Sequence, residues 1–162
     1  MSRPLLLIDI DGVLNPYVAA GHPIAGVYEK HSIDGLAVLL NASHGQWLRE
    51  LATTYDLVWA SSWEHDSNPL IGQAIGAPAN MPFLTFTDRD ATDWLWKLPA
   101  VQRFVAHDRA VAWLDEDHGQ GADEWAAHRS APTLLVKTDG RIGWTKAEFD
   151  VLVRFAAGLV DR

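Results

Sequence analysis

The stretch Pro4–Pro16, PLLLIDIDGVLNP, determines the predicted fold, because an apolar run here leads directly into clustered acidic residues. Leu5–Ile8 is unbroken, apolar and of strand length, which is typical of a central parallel strand buried on both faces. Asp9 and Asp11 follow, and strand alternation would point both side chains the same way. Such close carboxylates repel each other unless a cation or a shared proton neutralises them. Since ligands bind at the carboxyl ends of parallel strands, the stretch predicts a site for a hard cation such as Mg2+.

The alternative for this stretch is an ordinary acidic turn, since D-x-D-G also occurs in calcium loops and in solvated turns. A second acidic strand end favours the cation site over the ordinary turn. Ala110–Leu114 is another apolar run, and it ends in Asp115 and Glu116. Two acidic strand ends that lie side by side in a parallel sheet would form an oxygen site suited to Mg2+.

Composition restricts the class of protein. The chain has 162 residues, the size of one ordinary domain, with 48% hydrophobic residues and no cysteine. Disulfides, thiolate metal sites and cysteine nucleophiles are therefore excluded. The net charge of −8 argues against a general nucleic-acid-binding protein, which needs a basic surface. No segment is long enough for a signal peptide or a membrane span, so we expect a cytoplasmic protein without a membrane partner.

Strands and helices alternate along the chain, which predicts a three-layer α/β/α sandwich around a Rossmann-like parallel sheet, as one domain over residues 1–162. Residues 17–33 are expected to form a loop or small hairpin, with strand character at Val27–Glu29. Further strands are predicted at 36–40, 55–60, 81–86 and 132–136. Helices are predicted after a capping box at Ser43 and Gln46, at 68–75, 98–106 and 122–128, and after a capping box at Thr145 and Glu148.

The first acidic stretch, Asp9-Ile10-Asp11-Gly12-Val13-Leu14, resembles the first motif of the haloacid dehalogenase (HAD) superfamily, whose members are mostly Mg2+-dependent phosphohydrolases. The resemblance implies that Asp9 is the nucleophile that attacks phosphorus. It also implies that Asp11 is the general acid and base and gives its backbone carbonyl to the metal.

The remaining motifs of the superfamily occur in the same order. Ser61 fits the phosphate-binding hydroxyl that ends a strand, with Ser62 as its rival, although a Ser-Ser pair is also a common turn or helix-cap signal. Lys97 fits the lysine that balances the carboxylates and the substrate phosphate, although a lone lysine is usually a solvated surface charge. Asp115 fits the direct metal ligand, and Glu116 an outer-shell ligand or one acting through water.

A narrower resemblance concerns LVWASSWEHDSN, AWLDED and the closing GWT, which look like small HAD domains of bacterial RNA-repair proteins. It implies a phosphomonoesterase that acts through an aspartyl-phosphate on nucleotide or RNA phosphate ends. Small sugar or metabolite phosphates are the alternative substrates, because stable nucleic-acid binding is not expected from the charge. Residues 17–33 would be a small flap or cap that leaves the site open. They would set specificity, together with Trp63, His65 and His118 around the mouth.

Three other classes of protein compete with this interpretation. A phospho-accepting receiver also uses an acidic pair, a hydroxyl and a lysine, but in a different order along the chain. A non-catalytic HAD-fold binding module would not need the full set of carboxylates. A histidine-based metal hydrolase is disfavoured, since the seven histidines are scattered without metal-ligand spacing. The sequence gives no sign of the oligomeric state.

Overall fold

The computed structural model describes residues 2–18, 27–87 and 96–160. The strands are β1 (Leu5–Ile8), β2 (Glu29–Ile33), β3 (Leu36–Leu40), β4 (Asp56–Trp59), β5 (Val111–Asp115) and β6 (Thr133–Lys137). Four of them form a parallel sheet in the order β4-β1-β5-β6. All four residues of β1 are buried in the interior of this sheet, as the apolar run predicts.

The helices cover both faces of the parallel sheet. They are α1 (Ala42–Leu51), α2 (Gln73–Ile75), α3 (Leu98–Phe104), α4 (Ala122–His128) and α5 (Lys146–Val160). Alternate residues of β1 belong to two hydrophobic clusters: Leu6 packs in the cluster that includes residues of α1 and α5, and Leu7 in the one that includes residues of α3 and α4. This alternation gives the predicted three-layer α/β/α sandwich.

A separate antiparallel hairpin joins β2 to β3 through the two-residue turn Asp34-Gly35. Both turn residues have positive φ, 49° and 79°, as a tight hairpin of this length requires. The strand predicted at Val27–Glu29 begins only at Glu29. The predicted strand at 36–40 is confirmed, but it is the partner of β2, so the hairpin extends beyond the predicted limit of Ile33.

The strand predicted at 81–86 is wrong. Only Phe83 forms an isolated bridge, with Trp59 at the end of β4. The Trp59 N–H donates to the Pro82 carbonyl and the Leu84 N–H donates to the Trp59 carbonyl, both at 2.8 Å. Pro82 has no N–H with which to continue a ladder.

Two predicted helix starts also differ from the structure. Asn41 caps α1 by accepting a hydrogen bond from the Ser43 N–H at 3.0 Å, so the predicted box of Ser43 and Gln46 is wrong. The helix predicted over 68–75 is mostly a π-helix over Ser67–Gly72, preceded by a 3-10 turn at Glu64–Asp66. The capping box of Thr145 and Glu148 is confirmed, since the Thr145 N–H donates to the Glu148 carboxylate at 2.9 Å. No helix in the described ranges is long and apolar enough to cross a membrane.

Candidate active site

The parallel register brings the ends of three strands together. Ile8 is opposite Trp59 of β4 on one side and Leu114 of β5 on the other. The Asp9 N–H donates to the Leu114 carbonyl at 3.0 Å, which fixes Asp9 beside the end of β5. Asp9, Ser61 and Asp115 therefore lie at the carboxyl ends of neighbouring strands, at the edge of the sheet where α/β proteins bind ligands.

Three carboxylates converge at this edge. Asp9, Asp115 and Glu116 each present an oxygen, and these oxygens all lie within 4.8 Å of one another. Asp9 and Asp115 are almost completely buried, with 3% and 0% of their surface exposed. The two acidic strand ends therefore meet, as the shared cation site predicted from the sequence requires.

Lys97 lies between two of these carboxylates. Its Nζ is 2.7 Å from Asp9 Oδ2 and 2.8 Å from Asp115 Oδ2, and the side chain is only 3% exposed. It is therefore not a solvated surface lysine. With all three carboxyl groups ionised, the cluster and the Lys97 ammonium carry a net charge of −2, which one divalent cation would neutralise.

Burial and mutual repulsion shift the pKa values of the cluster. Burial, followed by the charge of Asp115, raises the pKa of Asp9. Burial, followed by the Asp9 carboxyl and then Asp115, raises the pKa of Glu116 to about 9. Burial alone would lower the pKa of Lys97, but the carboxylates of Asp9 and Asp115 outweigh it, and that pKa is raised. The cluster thus favours either a retained proton or an added cation.

Asp115 is held by groups that the sequence analysis did not identify. The Trp113 indole N–H donates to Asp115 Oδ2 at 3.0 Å, and the Asp117 backbone N–H donates to Oδ1 at 3.0 Å. Strand alternation places Trp113 and Asp115 on the same face, so this contact was accessible from the pattern. His118 was expected around the mouth, but it is buried and its Nε2 lies 2.9 Å from the Trp113 carbonyl. His65 is mostly exposed.

The Asp11 side chain contacts a different set of groups. The Asn15 amide donates to Asp11 Oδ1 at 2.8 Å, and the Trp63 indole N–H donates to Oδ2 at 2.9 Å. Gly12 follows with φ of 77°, which turns the chain away from the strand. The converging carboxylates do not include that of Asp11, so its predicted contribution to the metal rests on its backbone carbonyl.

The two candidate phosphate-binding serines have different environments. Ser61 is 1% exposed, and its hydroxyl has no hydrogen-bond partner within the described part of the chain. Ser62 is exposed. A buried hydroxyl without a partner costs about 1–3 kcal/mol, which a substrate oxygen could recover. This contrast favours Ser61 over Ser62 as the residue that receives a phosphate oxygen.

A cavity of about 1080 Å³ lies elsewhere, between the amino ends of the strands and α5. Its lining includes Pro4, Ala110 and Pro132, each of which immediately precedes a strand of the parallel sheet. It is therefore at the edge opposite to the carboxylate cluster. The chemistry of the side chains, rather than cavity size, locates the candidate active site.

The topology and the strand-end carboxylates define a Rossmann-like α/β domain with an acidic site at the carboxyl edge of its sheet. Residues 5–149 match the family described as "HAD domain in Swiss Army Knife RNA repair proteins", and the chain belongs to that family. No curated protein matches the chain significantly. Both the HAD resemblance and its narrower form are confirmed. Membership indicates phosphohydrolase-type chemistry, and the acidic cluster could bind a metal ion.

Proposed function

We propose that this protein is a Mg2+-dependent phosphomonoesterase that acts through an aspartyl-phosphate on Asp9. The observation that carries the proposal is the convergence of Asp9, Asp115 and Glu116 within 4.8 Å at the ends of β1 and β5. Membership of the HAD family supports the same reaction class.

The residues present fit Mg2+. Carboxylate oxygens are the ligands that this ion prefers, and the net charge of −2 described above matches one divalent cation. Glu116 Oε2 is buried, and no donor among the described residues bonds to it. The pKa of Glu116, raised by burial and then by the Asp9 carboxyl, reflects a proton held toward Asp9, which a bound cation would displace. Asp9 and Asp115 would hold the ion directly, with Glu116 and the Asp11 carbonyl completing the protein ligands. When bound, Mg2+ supplies positive charge that polarises the phosphoryl group and shields the carboxylates.

In the first step, an Asp9 carboxylate oxygen attacks phosphorus in line, and the bond from phosphorus to the leaving oxygen breaks. Lys97 Nζ and the Ser61 hydroxyl stabilise the negative charge on the equatorial oxygens. Asp11 gives its proton to the leaving oxygen. In the second step, Asp11 takes a proton from water, which attacks the phosphorus of the aspartyl-phosphate. Inorganic phosphate leaves and the Asp9 carboxylate is restored.

Phosphate ends of nucleotides or RNA are the proposed substrates, because the family is described by its occurrence in RNA-repair proteins. The net charge of −8 favours short ends over stable binding of long RNA. Small sugar or metabolite phosphates are the alternative. We further propose that the protein acts in the cytoplasm.

The test is hydrolysis of p-nitrophenyl phosphate by the full chain, with Mg2+ and after removal of metal by a chelator. We expect Mg2+-dependent turnover that falls by about 10³-fold or more in Asp9→Asn, since the nucleophile is lost. Asp56→Asn is the matched control, because Asp56 lies at the amino end of β4 and pairs with arginines at the surface. A fully active Asp9→Asn protein would end the proposal.

A panel of 5′- and 3′-phosphorylated oligonucleotides, nucleotides and sugar phosphates then identifies the substrate class. Preference for an oligonucleotide end supports the RNA-end assignment, and preference for sugar phosphates supports the alternative. Absence of Mg2+-dependent turnover on the whole panel and on the aryl phosphate would favour a non-catalytic binding module.

A further inference from the structure

Glu116 is oriented by a residue outside the predicted motifs. The Tyr17 hydroxyl donates to Glu116 Oε1 at 3.2 Å. The other carboxylate oxygen, Oε2, is buried and has no partner among the described residues. Glu116 is also one of the three carboxylates whose oxygens converge within 4.8 Å. One of its oxygens therefore accepts a hydrogen bond from Tyr17, and the carboxyl group as a whole lies against Asp9 and Asp115.

The backbone around Tyr17 fixes this arrangement. The Tyr17 N–H donates to the Gly140 carbonyl at 2.7 Å, which anchors the residue beside the turn after β6. A Cβ at Gly12, where φ is +77°, would lie 2.6 Å from Glu116 Cγ and 2.9 Å from Tyr17 Cε2. A Cβ at Gly140 would lie 3.0 Å from Tyr17 Cδ2. Tyr17 and Glu116 therefore pack together against two positions that have no side chain.

We propose that Tyr17 is a positioning residue for the cation site, which fixes the orientation of the Glu116 carboxylate within the acidic cluster. This inference rests on the proposed function, because it requires that the carboxylate cluster binds Mg2+. Hydrogen bonds to a ligating carboxylate fix its orientation, and loss of such a partner typically weakens metal binding by about 10–100-fold.

Tyr17→Phe isolates the hydroxyl. The phenylalanine ring can lie against the same glycines, and the backbone hydrogen bond to Gly140 is unaffected. A role of Tyr17 as an aromatic surface that stacks on substrate would survive this substitution. Tyr28→Phe is the matched control, since the Tyr28 hydroxyl donates to the Ile142 carbonyl at 3.0 Å in the same turn.

The experiment is calorimetric titration of Mg2+ alone into the chelator-treated full chain. The proteins are wild type, Tyr17→Phe, Tyr28→Phe, Glu116→Gln and the double variant Tyr17→Phe/Glu116→Gln. We expect the Kd for Mg2+ to rise about tenfold in Tyr17→Phe and to change less than twofold in Tyr28→Phe. In the Glu116→Gln background, Tyr17→Phe should add less than a twofold change, because the group that it orients is already altered.

The outcomes separate the inference from the proposed function. If wild type binds no Mg2+, the proposed function and the inference both fail. If wild type binds Mg2+ and Tyr17→Phe binds it equally well, the inference fails while the proposed function stands. An equal loss from Tyr17→Phe in the wild-type and Glu116→Gln backgrounds also overturns the inference, because Tyr17 would then act independently of Glu116.

Discussion

His44 makes the stability of this protein depend on pH in a way that can be calculated from its surroundings. The side chain is fully buried, and its Nε2 lies 2.9 Å from the Trp144 carbonyl. Because a carbonyl only accepts, Nε2 carries the proton and Nδ1 is the acceptor. Nδ1 has no partner in the described structure, and the ring packs against both Trp47 and Trp144, with ring centroids 5.3 Å from each. The site therefore accommodates neutral histidine, and burial lowers the pKa of His44 to about 4.

The free-energy change follows from the difference between this pKa and the ordinary value. With 6.5 in the unfolded chain and about 4 in the folded chain, the unfolded state binds more protons between these values. The contribution of His44 to the free energy of unfolding is therefore fully present above pH 6.5 and is lost as the pH falls to about 4. At about 1.4 kcal/mol for each pH unit, the loss amounts to about 3 kcal/mol.

Urea unfolding of wild type and His44→Leu, measured at several pH values, tests this reasoning. At pH 7 and above the variant should be less stable, because it lacks the hydrogen bond to Trp144 and leaves that carbonyl unpaired. The stability advantage of wild type over the variant should then shrink by about 3 kcal/mol as the pH falls from 6.5 to 4. A difference that stays constant over this range would show that His44 does not resist protonation, and would refute the argument.

Two further predictions concern the acidic site. Lys97→Met removes the cation between Asp9 and Asp115, and should lower the free energy of unfolding by about 3 kcal/mol without metal. Added Mg2+ should raise the Tm of this variant more than that of wild type. Equal increases in Tm would argue against the idea that Lys97 and Mg2+ neutralise the same carboxylates. Trp63→Phe removes the N–H that donates to Asp11 Oδ2. It should reduce kcat for an aryl phosphate about tenfold with little change in KM, whereas a higher KM at constant kcat would place Trp63 in substrate binding instead.

The sequence predicts the parallel sheet well because its inner strands are buried on both faces. Leu5–Ile8 and Ala110–Leu114 are continuous apolar runs, and the structure has β1 and β5 within one residue of them. Residues 81–86 have the same apolar character but form only one bridge. There, β4 ends at the point of contact, and Pro82 lacks the N–H that would continue the ladder, so no strand forms. The proline is visible in the sequence, but the position of the end of β4 is not.

For the candidate site too, some residues could be predicted from the sequence and others could not. The order of acidic strand ends, serine and lysine is local information, and the sequence analysis could use it to nominate Asp9, Asp115 and Lys97. The contact of Tyr17 with Glu116 joins residues 99 positions apart, and that of Trp63 with Asp11 joins residues 52 positions apart. Neither pair has a spacing signature, because the fold alone brings them together.

Two buried polar atoms at the acidic site, the Ser61 hydroxyl and Glu116 Oε2, have no hydrogen-bond partner in the described chain. Each such atom reduces stability by about 1–3 kcal/mol, so packing alone gives no reason for either. The free carboxylate oxygen requires a cation or a donor, and the free hydroxyl can donate to an anionic oxygen. A divalent cation together with a phosphoryl group satisfies both requirements at once. The same pair of ligands also suits the local charge, since a divalent cation would neutralise the ionised carboxylates. The unsatisfied atoms and the excess negative charge therefore favour the same occupants.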